Sequence, residues 1–273
     1  MRDTLSAWTT FGIGGKAKRI VVAKTRGDLI DRSVDSLLLG RGSNVLVSDD
    51  GYDGTVVVNR YESVEFSGVL AVAGSGTRLN YLCGRARERG LSGFEWAIGI
   101  PGSVGGAVRM NAGAFGSDIS SVLVYADVIR NGKIVRLSTD ELGFGYRRSA
   151  LADGDIVVAA AFCLKPDDKR AIEKREECYT AVRRQKQPCG KSAGSVFKNP
   201  SGISVGKLLD KAGLKGTRVG GAVISERHAN IIINTGGATA RDVTELIAIM
   251  RGALEDNGVI AEQEIVYVGN FDR

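Results

Sequence analysis

The stretch Ile100-Pro101-Gly102-Ser103-Val104-Gly105-Gly106-Ala107, continued by Met110-Asn111-Ala112-Gly113-Ala114-Phe115-Gly116, is the densest run of glycine in the chain. Six glycines fall between positions 99 and 116. A segment so short of side chains lets backbone N–H groups approach a flat or phosphorylated ligand and lets φ turn positive. On composition alone, a set of tight turns explains it equally well. A second loop, Gly40-Arg41-Gly42-Ser43-Asn44, follows the apolar run Leu37-Leu38-Leu39. Its N–H groups, hydroxyl, amide and guanidinium at a strand end make a candidate pyrophosphate cradle. Two phosphate motifs fail on context. Gly12-Ile13-Gly14-Gly15-Lys16-Ala17 has the G-x-G-x-x-G/A spacing but precedes a strand and opens no helix. Gly190-Lys191-Ser192 lacks the upstream glycine of a Walker loop.

Around these loops the first two-thirds of the chain reads as short strands, over 20–23, 37–39, 45–47, 55–58, 69–73, 122–129, 133–137 and 156–164. Asn131-Gly132 predicts a two-residue hairpin between two of them. One helix interrupts the series, with Thr77 as its expected cap, Leu79, Leu82 and Ala86 on one face, and Gly90 at its end. From Lys165 the pattern changes. A charged helix over 171–186 stops before Pro188, and Val205, Leu208, Leu209 and Ala212 mark a second helix closed by Gly213. Thr239 and Asp242 form an approximate capping box for a third, whose apolar face is Val243, Leu246, Ile247, Met250 and Leu254 and whose end is Gly258. Strands over 231–233 and 265–268 flank it. The expected organisation is α+β, a β-rich region followed by a smaller domain, with a boundary near residue 167.

Composition narrows the chemistry. The chain has 273 residues, 37 of them Gly and one His, with 43% hydrophobic and 25% charged residues. Glycine is enriched about twofold over its usual share of ~7%. A lone His excludes His-pair metal sites, and no metal ligand is assigned; catalysis falls to Ser, Arg, Lys, carboxylates or a cofactor. The net charge of +6 favours anionic ligands. Between positions 165 and 191 nine Lys/Arg face five Asp/Glu, which reads as a solvated helix face or as a surface that steers anions. Cys83, Cys163, Cys178 and Cys189 have no metal or disulfide spacing, as expected of free thiols in a reducing cytosol. Neither a signal peptide nor a membrane-spanning run is found, and the expected location is the cytoplasm. An RNA-binding role, raised by a pI of about 9.2, finds no support in 6% aromatic residues without a basic-aromatic motif.

Several blocks together carry a family resemblance. They are Gly40-Arg41-Gly42-Ser43-Asn44 followed by Val45-Leu46-Val47, the loop of residues 100–106 leading to Met110-Asn111-Ala112-Gly113-Ala114, and Phe144-Gly145-Tyr146-Arg147. Further along come Ala193-Gly194-Ser195-Val196-Phe197-Lys198-Asn199-Pro200, Arg227-His228-Ala229-Asn230 and Glu262-Gln263-Glu264-Ile265. In this order and over nearly the whole chain, they resemble the UDP-N-acetylenolpyruvoylglucosamine reductases, also called UDP-N-acetylmuramate dehydrogenases. Only about 48 residues lie between Arg147 and Ser195, so the chain is similar to the shorter family type that lacks a tyrosine-bearing insertion. Arg227 stands where Lys is usual, and Ala261 where Leu is common.

The resemblance implies an FAD-binding fold of the vanillyl-alcohol oxidase type, built of two α+β subdomains (1–48 and 49–167), with a C-terminal α+β substrate domain (168–273). It implies an FAD-dependent oxidoreductase of peptidoglycan precursor synthesis, and so of cell wall biogenesis, cell shape and cell division. NADPH reduces FAD, and reduced flavin converts UDP-N-acetylglucosamine enolpyruvate to UDP-N-acetylmuramate, with hydride going to the vinyl carbon. Ser195 is implied as proton donor, with Arg147 and Glu264 as the other catalytic residues. Tyr146, Lys186, Lys198 and Asn199 are implied substrate contacts. The FAD site is implied to comprise Gly40, Arg41, Gly42, Ser43 and Asn44, with Ile100, Pro101, Gly102, Ser103, Gly105, Gly106, Ala107, Asn111, Gly113 and Gly116. The expected partners are NADPH and the UDP-sugar, neither nucleic acid nor membrane, and the expected state is a monomer. The alternative is another FAD-dependent oxidoreductase on the same cofactor fold, which would have no need of Ser195, Arg147 and Glu264 together. The single histidine, His228, lies in the expected substrate domain, so FAD is expected to bind non-covalently. Acid precipitation should therefore leave the yellow colour in the supernatant; colour retained in the pellet would contradict this.

Overall fold

Asn131 and Gly132 adopt φ values of 51° and 71°, the left-handed pair that a two-residue type I′ hairpin demands. They join Leu123–Arg130 to Lys133–Ser138 in antiparallel register from Arg130↔Lys133 to Tyr125↔Ser138. This hairpin is one edge of a five-stranded antiparallel sheet ordered Lys133–Ser138, Leu123–Arg130, Ile156–Cys163, Leu70–Gly74, Val64–Ser67. The computed structural model describes residues 4–31, 36–200 and 202–271. Its helices among these are α1 (Arg26–Asp31), α2 (Leu79–Glu88), α3 (Val104–Arg109), α4 (Lys169–Lys186), α5 (Val205–Lys211) and α6 (Ala240–Asp256). The mixture of antiparallel sheets and helices is α+β, as expected.

The chain divides into two units, each assembled from separated segments. The first comprises Met1–Ile20, Gly42–Thr55 and Arg184–Arg273; the second comprises Val21–Arg41 and Val56–Arg183. These units do not follow the continuous segments 1–48, 49–167 and 168–273. Residues 169–183 of α4 belong with the sheet of the second unit, where Arg175 pairs with Glu95 at 2.8 Å and Arg87 with the buried Glu176 at 2.6 Å. Ion pairs within the unit thus hold much of the helix, and part of its positive charge is neutralised there.

In the second unit the central strand Ile156–Cys163 is covered on both faces. A register shift opposite Asp127 and Val128 changes which residues face which way. Val157, Ala160 and Phe162 enter a core with Leu79, Leu82 and Ala86 of α2 and Val104, Ala107 and Val108 of α3. Ile156 and Val158 enter a second core with Ala23, Leu29, Val57 and Ile129. The expected cap of α2 is corrected by the geometry. The Thr77 hydroxyl donates to Ser63 O at 3.0 Å and accepts from Ser63 N–H at 3.2 Å, tying a loop to its neighbour, and α2 starts from Arg78 without a side-chain cap.

The first unit packs α6 on the antiparallel strands Arg218–Val219, Ala222–Ile224 and Ile232–Asn234. Val243, Leu246, Ile247, Met250 and Leu254 of α6 are buried with Phe11, Ile13, Leu46, Val196 and Phe197. The Thr239 hydroxyl accepts from Asp242 N–H and the Asp242 carboxylate accepts from Thr239 N–H, completing the expected capping box. A parallel pair joins Val45–Val47 to Val266–Val268. No helix among the described residues is long and apolar enough to cross a membrane.

A pair of alanine substitutions separates backbone conformation from packing. A Cβ on Gly132 or on Gly84 would meet nothing within 4 Å. Gly132 is left-handed, so Gly132→Ala is expected to destabilise by about 1–2 kcal/mol. Gly84 lies inside α2, so Gly84→Ala is expected to stabilise by about 0.5–1 kcal/mol. Thermal midpoints moving in the same direction for both would contradict this assignment.

Candidate active site

In the second unit Gly40 and Arg41, at the start of one loop, meet two further loops. A Cβ on Gly40 would stand 2.8 Å from Ser103 Oγ, which places the end of Ser36–Leu39 against the loop before α3. The third loop, Gly74-Ser75-Gly76-Thr77, lies between Leu70–Gly74 and α2 and was not singled out in the sequence. It is bound to the second by Val104 N–H to Thr77 O (2.9 Å) and Gly105 N–H to Ser75 O (2.8 Å). Gly105 has no room for a side chain, since its Cβ would come within 2.9 Å of Ser75 Cβ. The buried Asn59 supports the junction by donating from Nδ2 to Ser75 Oγ at 2.7 Å. Arg41 reaches across it, donating to Gly76 O at 3.2 Å and pairing with Glu62. The signal for this third loop was a G-x-G-T turn between a strand and a helix, a place where N–H groups converge.

Some glycines of the glycine-rich stretches are required by packing within the chain. Gly42 is buried, and a Cβ there would meet Trp8 O at 2.5 Å. Gly14 would meet Val47 Cβ at 2.7 Å. These glycines make room for other parts of the chain. Gly116, with φ of 81°, has open space where its Cβ would be.

Arg147 stands on a two-residue turn in the second unit. Gly145 and Arg148 exchange backbone hydrogen bonds at 3.1 and 3.2 Å, with Tyr146 and Arg147 at the tip. Arg147 has φ of 55°, a conformation in which non-glycine residues persist only when held by their surroundings. Its Nη2 donates to Gly113 O at 2.9 Å, and its guanidinium carbon lies 5.1 Å from the centre of the exposed Tyr146 ring. Phe115, also left-handed at 56°, stacks on Tyr179 of α4 at 4.3 Å, with the Arg183 guanidinium 5.2 Å from its ring.

In the first unit Ser195 and Glu264 are brought onto neighbouring backbone. Ser195 pairs with Ile231, and the next carbonyl, Val196 O, accepts from Glu264 N–H at 2.8 Å. Asn44 completes the fastening, since its Nδ2 donates to Glu264 O at 2.9 Å and its own carbonyl accepts from Val266 N–H at 3.0 Å. The amide of Asn44 thus holds a second candidate residue in place. On the other side the buried Asn230 takes both backbone groups of Phe197, accepting from its N–H at 3.0 Å and donating to its carbonyl at 2.8 Å. The Ser195 hydroxyl makes no hydrogen bond among the described residues. Lys198 pairs with the exposed Glu262 at 2.6 Å, and Asn199 Oδ1 accepts from Val205 N–H at 3.0 Å, closing the first turn of α5. Lys186 is the exposed last residue of α4, whose end is capped by Arg227 donating to Arg184 O at 2.7 Å.

A family model described as UDP-N-acetylenolpyruvoylglucosamine reductase, C-terminal domain, matches residues 185–268. Another, described as FAD binding domain, matches residues 28–138. A UDP-N-acetylenolpyruvoylglucosamine reductase of Caldicellulosiruptor bescii is 43% identical over 282 residues, covering 98% of this chain and 90% of the relative. The chain belongs to the UDP-N-acetylenolpyruvoylglucosamine reductase family. A reductase of the same description from Rubrobacter xylanophilus is 39% identical, with 98% and 94% of the two chains covered. The crystal structure of UDP-N-acetylenolpyruvylglucosamine reductase from Thermus caldophilus superposes with a TM-score of 0.88 at 39% identity, covering 97% of each chain.

A reductase of this family carries FAD, and donors in the second unit fit a phosphorylated ligand. Arg41 Nε is buried with no hydrogen-bond partner. Within the same unit, the N–H groups of Arg41 and of Gly106 in the first turn of α3 make no hydrogen bond among the described residues. Such donors suit phosphate oxygens. The amide of Asn111 is different. It is engaged by Asp118, Ser120 and Gly145, so the side chain is committed to the protein.

His228 serves the fold. Its Nδ1 accepts from Asn230 N–H at 3.2 Å, and its ring fills the space where a Cβ on Gly206 of α5 would stand, 2.8 Å from Cε1. Burial pushes the imidazole below its ordinary value of 6.5. The unfolded chain takes up a proton at a pH where the folded protein leaves His228 neutral. Stability from this group is therefore full above pH 6.5 and declines as the pH falls through the interval between 6.5 and the lower folded value. Thermal midpoints measured over about pH 5–8 should show a shallower acid-side decline for His228→Gln. An identical slope in the variant would assign the decline to other groups.

Proposed function

We propose that this chain is the NADPH-dependent, FAD-containing enzyme that reduces UDP-N-acetylglucosamine enolpyruvate to UDP-N-acetylmuramate in peptidoglycan precursor synthesis. The observation that carries the reading is the backbone ladder in the first unit, which sets Glu264 beside Val196 and leaves the Ser195 hydroxyl without a hydrogen bond among the described residues. Bound FAD supplies the two-electron transfer between NADPH and the enolpyruvyl ether. The chain's own residues manage charge and protons. Arg147 holds the substrate carboxylate, where negative charge accumulates during reduction, in the manner of an oxyanion clamp. Ser195 Oγ gives its proton to the carbon next to that carboxylate. A hydroxyl is a weak acid, but the carbanionic partner is strongly basic, so a positioned hydroxyl suffices. Glu264 orients the same group.

Tyr146, Lys186, Lys198 and Asn199 bind the UDP-sugar. The pair that Lys198 makes with exposed Glu262 is worth little in water, so the ammonium can exchange it for substrate at low cost. The loops of residues 40–44, 100–107 and 111–116 hold FAD without a covalent bond. The enzyme works as a monomer in the cytoplasm on small polyanions, and not on nucleic acid or membranes. Segments 1–48 and 49–167 provide the cofactor part and 168–273 the substrate part of its function.

Anaerobic NADPH should bleach the flavin, and addition of the enolpyruvyl UDP-sugar should restore its colour. Ser195→Ala should bleach normally and recover about 10²–10⁴-fold more slowly. Equal loss in both half-reactions would assign Ser195 to folding or cofactor binding, and recovery of colour with an unrelated acceptor would remove the substrate assignment.

A further inference from the structure

We infer that Asn111 is a positioning residue for Arg147, acting through a two-way latch between the loop after α3 and the turn at residues 145–148. The inference rests on the proposed role of Arg147 at the substrate carboxylate. Asn111 Nδ2 donates to Gly145 O at 3.1 Å, the carbonyl at the base of the turn. In return Arg147 Nη2 donates to Gly113 O at 2.9 Å, two residues beyond Asn111. Each loop therefore supplies one donor and one carbonyl to the other.

The latch is itself rigid. Asn111 Nδ2 also donates to Asp118 Oδ2 at 3.1 Å, and Asn111 Oδ1 accepts from Ser120 N–H at 3.1 Å. Asp118 Oδ1 accepts from Ser120 Oγ at 2.6 Å, so the amide is oriented from both ends. Gly113 pairs with Asp118 so closely that a Cβ would come within 2.6 Å of Asp118 Cβ, which fixes the carbonyl that receives Arg147. Gly145 O is filled by two donors, Asn111 Nδ2 and Arg148 N–H. Both residues of the latch are left-handed, Asn111 at φ 40° and Arg147 at 55°. Asn tolerates that region well and Arg does not. The residue that accepts the conformation easily thus holds the residue that needs its long side chain there. A clamp for developing charge works only if its donors are already in place, and this latch places them.

Asn111→Gly separates the amide from the backbone, because Gly adopts the same φ freely. In rapid-mixing experiments on the FAD-loaded enzyme, this variant should slow reoxidation by the enolpyruvyl UDP-sugar about 10–100-fold, and far more than it slows reduction by NADPH. Arg147→Ala should slow the same step, and adding Asn111→Gly to it should cost little more, since both changes remove one function. Flavin loss, equal slowing of both half-reactions, or fully multiplicative effects in the double variant would overturn the inference. Should Asn111→Gly not fold, Asn111→Asp keeps the size and the acceptor for Ser120 but cannot donate to Gly145 O when ionised, and the same selective loss is expected. An Arg147→Ala enzyme that reoxidises at the normal rate would reject the role of Arg147 and the latch with it. A slow Arg147→Ala beside normal Asn111 variants would reject the latch alone.

Discussion

At one crossing in the first unit, backbone lies directly on backbone. A Cβ on Gly15 would stand 2.1 Å from Asp49 O, one on Gly51 1.8 Å from Lys16 O, and one on Gly269 2.0 Å from Gly51 O. Hydrogen bonds run through the same point, from Gly15 N–H to Ser48 O and from Ser48 N–H to Val268 O, both at 2.9 Å. Segments far apart in sequence can meet here only because no side chain intervenes. The meeting sets Val45–Val47 beside Val266–Val268, and that pairing delivers Glu264 to Asn44 and Val196. Exclusion of three methyl groups thus underlies the placement of the Glu264 backbone.

The glycines also show what a sequence conveys and what it withholds. Where glycine answers a local demand, the demand can be read directly. Asn131-Gly132 forms the hairpin expected of it, and Gly90, Gly213 and Gly258 end helices with φ between 64° and 75°. Where glycine answers a demand from another part of the chain, the letters are the same and the reason is hidden. Gly42 stands in a loop expected to hold a cofactor, and Gly14 and Gly15 in a stretch that has the spacing of a phosphate motif, yet each makes room for another part of the chain. The loop of residues 74–77 carries a weaker signal, two glycines against the six of residues 99–116.

Side-chain hydrogen bonds follow the same division. The box of Thr239 and Asp242 spans three residues and is legible. Thr77 bonds to Ser63 instead of capping α2, and Asn230 clamps Phe197 across the ladder; neither choice leaves a mark on nearby spacing. The candidate catalytic residues came from resemblance, since a Ser beside a Gly or an Arg in a turn has no chemical signature of its own. Geometry adds the residues that hold them, Asn44 for Glu264 and Asn230 for the Ser195 segment.

The segmented make-up of the first unit has a consequence for the order in which the chain can fold. Val21–Arg41 and Val56–Arg183 hold everything that the second unit packs, so its cores can close while the ribosome is still making the rest. Phe11, Ile13 and Leu46 emerge early, but the side chains that bury them lie between Ala193 and Ile265. Those apolar residues must wait, exposed, for nearly the whole of synthesis. Closing so long a loop is slow, and the amino-terminal segment is therefore the part of the nascent chain most in need of protection from aggregation.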